Sequence, residues 1–194
     1  MQVEVMLTGV GGQGIQLASK TLAMAAVDEG RQAMLLGHYA GAMRGGQTDA
    51  SVVVADKALR TLPILPSAWS AFVMHPDYWP DTRDRIRPNG VIVANSSLIE
   101  EDLGRPDCQI FLIPASDMAT EMGAPMSAAY ILMGAYCSIT GLAGVDALVG
   151  AMKQIVPPYR TQHIATNEAA LHAGGQAGPP LAAPAWSQPA VVAK

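Results

Sequence analysis

The stretch Val3-Glu4-Val5-Met6-Leu7-Thr8-Gly9-Val10-Gly11-Gly12-Gln13-Gly14-Ile15 decides the fold. Val3–Leu7 is a strand-like apolar run, glycines follow at positions 9, 11 and 14, and a helical pattern begins at Ile15. The spacing is G-x-G-x-x-G, and it carries meaning only where a strand precedes it and a helix follows, as here. Gly9 permits the tight turn, Gly11 admits a close backbone approach, and Gly14 allows a helix to pack closely on its strand. Backbone N–H groups at the helix start would face an anion. The turn therefore either holds a phosphate-bearing ligand through Gly9, Gly11, Gly12 and Gly14, or serves packing alone. Gln13 is either a donor to that phosphate or a cap on the turn.

Outward from this point the chain reads as β-α-β repeats. The spacing predicts a helix over Ile15–Glu29, with Ile15, Ala18, Leu22 and Ala25 on one face. Gly30 closes it as the residue after the cap. Strands are expected at Ala33–Gly37, Ser51–Ala55, Ala71–Met74, Val91–Ala94 and Gln109–Ile113, with a loop over Tyr39–Thr48 and a turn at Pro88-Asn89-Gly90. Helices are expected at Ser127–Ser138, with Ser127 as N-cap, at Asp146–Ile155, and at Thr166–Ala173 with Gly174 as cap. Short, continuously apolar strands suit a mostly parallel sheet with helices on both faces. The expected fold is α/β and Rossmann-like, a single domain over 1–174, with a Pro/Gly/Ala-rich extended tail over 175–194 in which Trp186 suggests docking.

A nicotinamide dinucleotide would need an acid about 20 residues beyond the turn, at the end of the second strand. That strand ends Leu35-Leu36-Gly37-His38, so a dinucleotide site is demoted. The net charge of −4, without a Lys/Arg stripe, argues against a nucleic-acid partner. Cys108 and Cys137 are too few to hold an iron–sulfur cluster, which takes about four thiolates. They read as two buried free thiols. The four histidines are scattered, and no metal site is expected. The long uncharged stretch between Glu121 and Asp146 contains Pro125 and several polar and glycine residues, which suits a buried helix better than a membrane span. The chain opens directly into a strand, without a basic leader, so a cytoplasmic location is expected.

The run Gly9-Val10-Gly11-Gly12-Gln13-Gly14, followed by Met43-Arg44-Gly45-Gly46 ahead of the strand at Ser51–Val54, resembles the gamma subunits of 2-oxoacid:ferredoxin oxidoreductases. The resemblance continues through Leu132-Met133-Gly134-Ala135, Asn167 and Gly174, and so covers about residues 1–174. Where that family often has Gly-Pro-Glu, this chain has Ala40-Gly41-Ala42, and Ala129 stands where an Asn is common.

The resemblance implies a module without redox centres and without catalytic residues of its own. In that family thiamine diphosphate with Mg lies between alpha- and beta-type subunits, and the iron–sulfur clusters lie in beta- or delta-type chains. The gamma module is implicated in handling coenzyme A. The acceptor would be ferredoxin or an NAD-reducing flavin subunit, and the substrate pyruvate, 2-oxoisovalerate, 2-oxoglutarate, indolepyruvate or phenylglyoxylate. Under this reading the glycine turn, Arg44, Gly45, Gly46 and Thr48 are the candidate coenzyme-facing residues. Arg44, flanked by glycines, suits a phosphate or carboxylate, or else a pairing across a subunit interface. The rival reading is a free-standing NAD(P)-dependent reductase or nucleotide-binding module.

Overall fold

The computed structural model describes residues 1–39, 45–59, 63–100 and 102–187. Six strands form one sheet: β1 (Gln2–Val10), β2 (Gln32–Tyr39), β3 (Gln47–Ala55), β4 (Ala68–Val73), β5 (Ile86–Asn95) and β6 (Gln109–Ile113), in the order β2-β3-β1-β4-β5-β6. β1, β4, β5 and β6 run parallel to one another, as short apolar strands covered on both sides should. β3 is the exception. It lies antiparallel between β1 and β2, pairing Gly9 with Thr48 on one side and Tyr39 with Thr48 on the other. The loop expected over Tyr39–Thr48 is therefore shorter, because Gln47 and Thr48 already belong to the strand.

The sheet carries two cores of unequal depth. Val3, Val5, Leu7, Val52, Val54, Phe72 and Val93 point to one side, alternating along their strands with residues that point to the other. On the first side they meet α1 (Ile15–Asp28), α3 (Ala115–Glu121), α4 (Ala128–Thr140), α5 (Val145–Ile155) and α6 (Ile164–Gly175). On the second, Met6, Val53, Ala71, Val73 and Ile92 are covered by the short α2 (Trp79–Arg83) and by connecting segments carrying Leu65, Ile99 and Leu103. Trp79, 5 % exposed, donates its indole N–H to the carbonyl of Leu103 at 2.8 Å. Trp79 thus packs over this face of the sheet.

α4 is buried all round, as an uninterrupted apolar sequence without charge requires. Its Tyr136 hydroxyl bonds Ser70 of β4 at 2.7 Å and its ring meets Phe72 edge-on at 6.4 Å, pinning the helix to the sheet centre. α6 is longer than expected, and Gly174 is not its cap. A Cβ there would stand 2.7 Å from the carbonyl carbon of Ile131, so glycine serves the close passage of α6 over α4. Ser127 precedes α4 without capping it; its hydroxyl goes instead to Asn167. The Pro88-Asn89-Gly90 turn is absorbed into β5 as an irregularity opposite Ala68–Ser70, with Asn89 at φ 60°. Gly30, at φ 83°, ends α1 as expected. Cys137 is buried, but Cys108 is half-buried, since it stands at the foot of the edge strand β6. Both are free thiols.

The tail docks as far as Ser187. Leu181 N–H donates to the carbonyl of Ile139 at 2.8 Å, and Trp186 Nε1 to that of Leu142 at 3.2 Å. The Trp186 ring lies under the Arg31 guanidinium at 4.2 Å, a cation–π contact.

Candidate functional site

The glycine turn sits at the carboxyl end of β1. There β1 hands its chain through α1 to β2, which lies beyond β3 on one side, while β4 pairs with β1 on the other and begins the second half of the sheet. Ligands of open α/β sheets collect at such a switch point. Gly9 and Val10 are still strand, so the turn proper is Gly11–Gly14. Gln13 closes it from inside: its Oε1 accepts the N–H of Val10 at 2.8 Å, and its own N–H donates to the Val10 carbonyl at 3.1 Å. Gln13 thus caps the turn through its amide oxygen. Gly11 N–H donates to Gly46 O at 2.8 Å, and a Cβ on Gly11 would lie 3.3 Å from both Gly45 N and Gly46 O. The close approach that Gly11 permits is thus to the start of β3, where Thr48 is also buried.

Gly12 (φ 105°) and Gly14 (φ 85°) hold left-handed conformations that side chains resist. A Cβ on Gly12 would meet nothing within 4 Å. Gly14 starts α1, whose first turn has no side-chain cap and no acidic residue. The leading N–H groups of that 14-residue helix are therefore left for solvent or an anion.

This open side of the turn faces a cavity of about 310 Å³. Its wall comprises Gly12, Gly14 and Leu17, then Met126, Ser127 and Tyr130 at the entry to α4. The 3-10 segment Pro158–His163 supplies Arg160 and His163, and α6 supplies Asn167. Ser127 Oγ donates to Asn167 Oδ1 at 2.9 Å. No acidic residue is among the lining residues. Burial pushes the Tyr130 phenol up, with Thr21 opposing. The Thr21 hydroxyl donates to the Leu17 carbonyl at 2.8 Å, and Tyr130 Oη has no partner within hydrogen-bond distance among the described residues.

Of the residues expected at the site, the structure brings together the turn with Gly45, Gly46 and Thr48. Arg44 lies outside the described residues. Tyr130, Arg160, His163 and Ser127 escaped the sequence reading. A buried Ser beside Asn on a neighbouring helix leaves no spacing signal, since the two are 40 residues apart.

Beside the hairpin, burial raises the Asp49 carboxyl above its ordinary pKa, with the neighbouring Thr8 and Gln47 side chains and His38 opposing. Gln47 Nε2 donates to its Oδ2 at 2.7 Å, but Oδ1 is buried without a partner among the described residues.

The demoted dinucleotide site fails on geometry as well. The ribose-binding acid belongs on the strand next to β1, yet β3 stands between β1 and β2, placing the end of β2 roughly 10 Å from β1, two strand spacings away. Gly37 and His38 occupy that end, and Gly37 is shielded by the Gln16 side chain.

A family model described as pyruvate ferredoxin/flavodoxin oxidoreductase matches residues 4–177. The 2-oxoglutarate synthase subunit KorC of Methanocaldococcus jannaschii is 26% identical over 160 residues, 81% of this chain and 85% of that protein. Among solved structures, the gamma subunit of a keto/oxoacid ferredoxin oxidoreductase from Geobacter sulfurreducens superposes with a TM-score of 0.79 at 22% identity, covering 91% of this chain and 96% of that one. The 2-oxoglutarate:ferredoxin oxidoreductase of Magnetococcus marinus, with 2-oxoglutarate, coenzyme A and succinyl-CoA bound, gives 0.80 at 18% identity, over 90% of this chain and 30% of its longer one. Both structures share the fold.

Proposed function

The chain belongs to the pyruvate ferredoxin/flavodoxin oxidoreductase family, as a domain of its gamma-subunit type, and from that membership we propose that it works as one subunit of a thiamine- and iron–sulfur-dependent 2-oxoacid:acceptor oxidoreductase. In this reading the complex converts a 2-oxoacid to an acyl-CoA in the cytoplasm. Alpha-, beta- and delta-type partners carry thiamine diphosphate, Mg and the clusters, and electrons leave to ferredoxin or to an NAD-reducing flavin subunit. This chain supplies structure and coenzyme A handling.

The observation that carries the coenzyme role is the α1 N-terminus, left uncapped behind Gly12 and Gly14 and free of acidic residues in its first turn. Oriented N–H groups and the helix dipole favour a phosphate there without any dedicated side chain. Gly45, Gly46 and Thr48 brace the turn from behind, through the Gly46 carbonyl, and Arg44 adjoins them in sequence. A guanidinium at that position suits a diphosphate. The Magnetococcus marinus enzyme, which shares the fold, is described with coenzyme A bound. Two free cysteines in this chain suit a subunit whose clusters lie elsewhere.

Purification of the native complex tests the assembly. The chain should co-elute with thiamine- and cluster-bearing subunits; a chain that emerges from its own cells alone, as a stable monomer or homodimer, overturns the subunit reading. Within the complex, Arg44→Ala should raise KM for coenzyme A and leave KM for the 2-oxoacid unchanged. An unmoved coenzyme KM removes Arg44 from the site.

A further inference from the structure

We propose that the outer edge of β6 is a docking site for an extended segment of another polypeptide, apolar and flanked by lysine or arginine, which adds to the sheet as a further strand. It goes beyond the coenzyme and subunit readings. β6 stands three strands away from β1 and its glycine turn, roughly 14 Å at one strand spacing each.

The backbone comes first. β6 pairs with β5 on one side and with no described strand on the other. The Ile113 carbonyl accepts the N–H of Ser96 at 2.9 Å, so it points towards β5. Carbonyls alternate in direction along a strand, which turns the N–H and C=O groups of Ile110 and Leu112 outward. No described residue bonds to them. Sheet edges are normally blunted by a charge, a proline or a bulge. Gln109-Ile110-Phe111-Leu112-Ile113 has none of these, and its register with β5 is unbroken. Leu112 is 54% exposed, and Leu98 and Met122, just beyond the ends of β5 and α3, are exposed as well.

Charge then selects the occupant. From Asn95 to Thr140 the chain has six acidic residues and Arg105 as its one base, a balance of −5 where the whole chain carries −4. This stretch holds the connection into β6, β6 itself and α3, the helix that leaves it. Glu100, Asp102, Asp117 and Glu121 are exposed and make no ion pair among the described residues, while Arg105 is taken by Asp107 and Arg83 by Asp84. Asp107 precedes β6 and Asp117 follows it, so acids frame the strand at both ends. A second copy docked edge to edge would bring two such frames together, which like-charge repulsion opposes. A segment with basic flanks meets them with opposite charge. Its main chain can pair with the outward groups of Ile110 and Leu112, the mode of strand addition.

Amide hydrogen exchange of the full chain, read by nuclear magnetic resonance, tests the site with synthetic peptides of alternating valine and threonine. A peptide with a lysine pair at each end should slow exchange at Ile110 and Leu112, and its affinity should fall as salt rises. The same peptide with glutamate pairs should bind roughly tenfold more weakly. Leu112→Pro removes an outward N–H without touching the bonds to β5, a position where proline is tolerated, and should abolish binding. Asp117→Lys with Glu121→Lys, both at exposed positions, should reverse the preference in favour of the glutamate peptide, and decides the matter even where Leu112→Pro does not fold. The proposal is overturned if no peptide protects Ile110 and Leu112, if the two peptides bind equally, or if the charge-reversed variant keeps the parent's preference. Dimerisation of the chain alone that Leu112→Pro removes also overturns it, by making a second copy the occupant. Peptide binding is read on the chain itself, so its failure is distinct from a failure to co-elute with other subunits.

Discussion

Gly134 of α4 and Gly174 of α6 form a reciprocal pair, each lying against the backbone of the other's helix. A Cβ on Gly134 would stand 2.9 Å from the carbonyl carbon of Leu171, and one on Gly174 would stand 2.7 Å from that of Ile131. Neither obstacle is a side chain that can swing aside. The pair lets two helices approach to backbone contact, and α4 with α6 makes the most extensive helix–helix contact among the described residues. Gly134→Ala or Gly174→Ala should each cost about 1–3 kcal/mol, the range for overpacking. Urea denaturation measures it, and a loss below 0.5 kcal/mol contradicts the pairing.

Tyr130 offers the opposite sign. Its hydroxyl is buried without a hydrogen-bond partner among the described residues, so Tyr130→Phe removes an unsatisfied group and keeps the ring. The ligand-free variant should be as stable as the parent or up to about 1 kcal/mol more stable. A clear drop in melting temperature would mean that the hydroxyl already has a partner.

Asp49 gives a pH dependence. Its folded pKa lies above the unfolded one because burial disfavours the carboxylate. The folded state therefore holds the proton more tightly, and the group lends stability at low pH that is lost as pH rises through the carboxylate range. Asp49→Asn should raise the melting temperature at pH 7, and the gain should shrink as pH falls through the raised folded pKa and vanish below about 4, the unfolded value. A gain that is independent of pH would assign the effect to something other than ionisation.

Trp186 anchors the tail by an indole hydrogen bond to Leu142 and by its stack on Arg31. Trp186→Ala should cost about 2 kcal/mol, one hydrogen bond and one cation–π contact together. The accompanying Arg31→Ala variant should lose less and be non-additive with it. Additive losses would separate the two contacts.

How far the fold is legible in sequence depends on where local signals act alone. β1, the turn and α1 follow from apolar runs and glycine spacing, and β6 was bounded correctly by Pro114. β3 carries no hairpin signature between β2 and itself, so its start at Gln47 and its antiparallel insertion were not visible. α2 and α3 are short, with Pro76, Pro80 and Pro114 at the starts of the turns and helices there, too few residues for a helical period to show. Gly174 looked like a cap because it ends an apolar pattern; only the proximity of α4 reveals its role. At the site, the turn could be read, but its tight partner could not. Whether Gly11 meets a ligand or a strand depends on where Gly46 lies.

The docked tail has a practical corollary. α1 runs from the glycine turn to Asp28, so its 14 residues separate the two ends by roughly 20 Å at 1.5 Å per residue. Trp186 is fastened at the far end, on Arg31. A fluorophore attached at Ser187 would therefore report on the molecule from well outside the cavity, without intruding on whatever enters it.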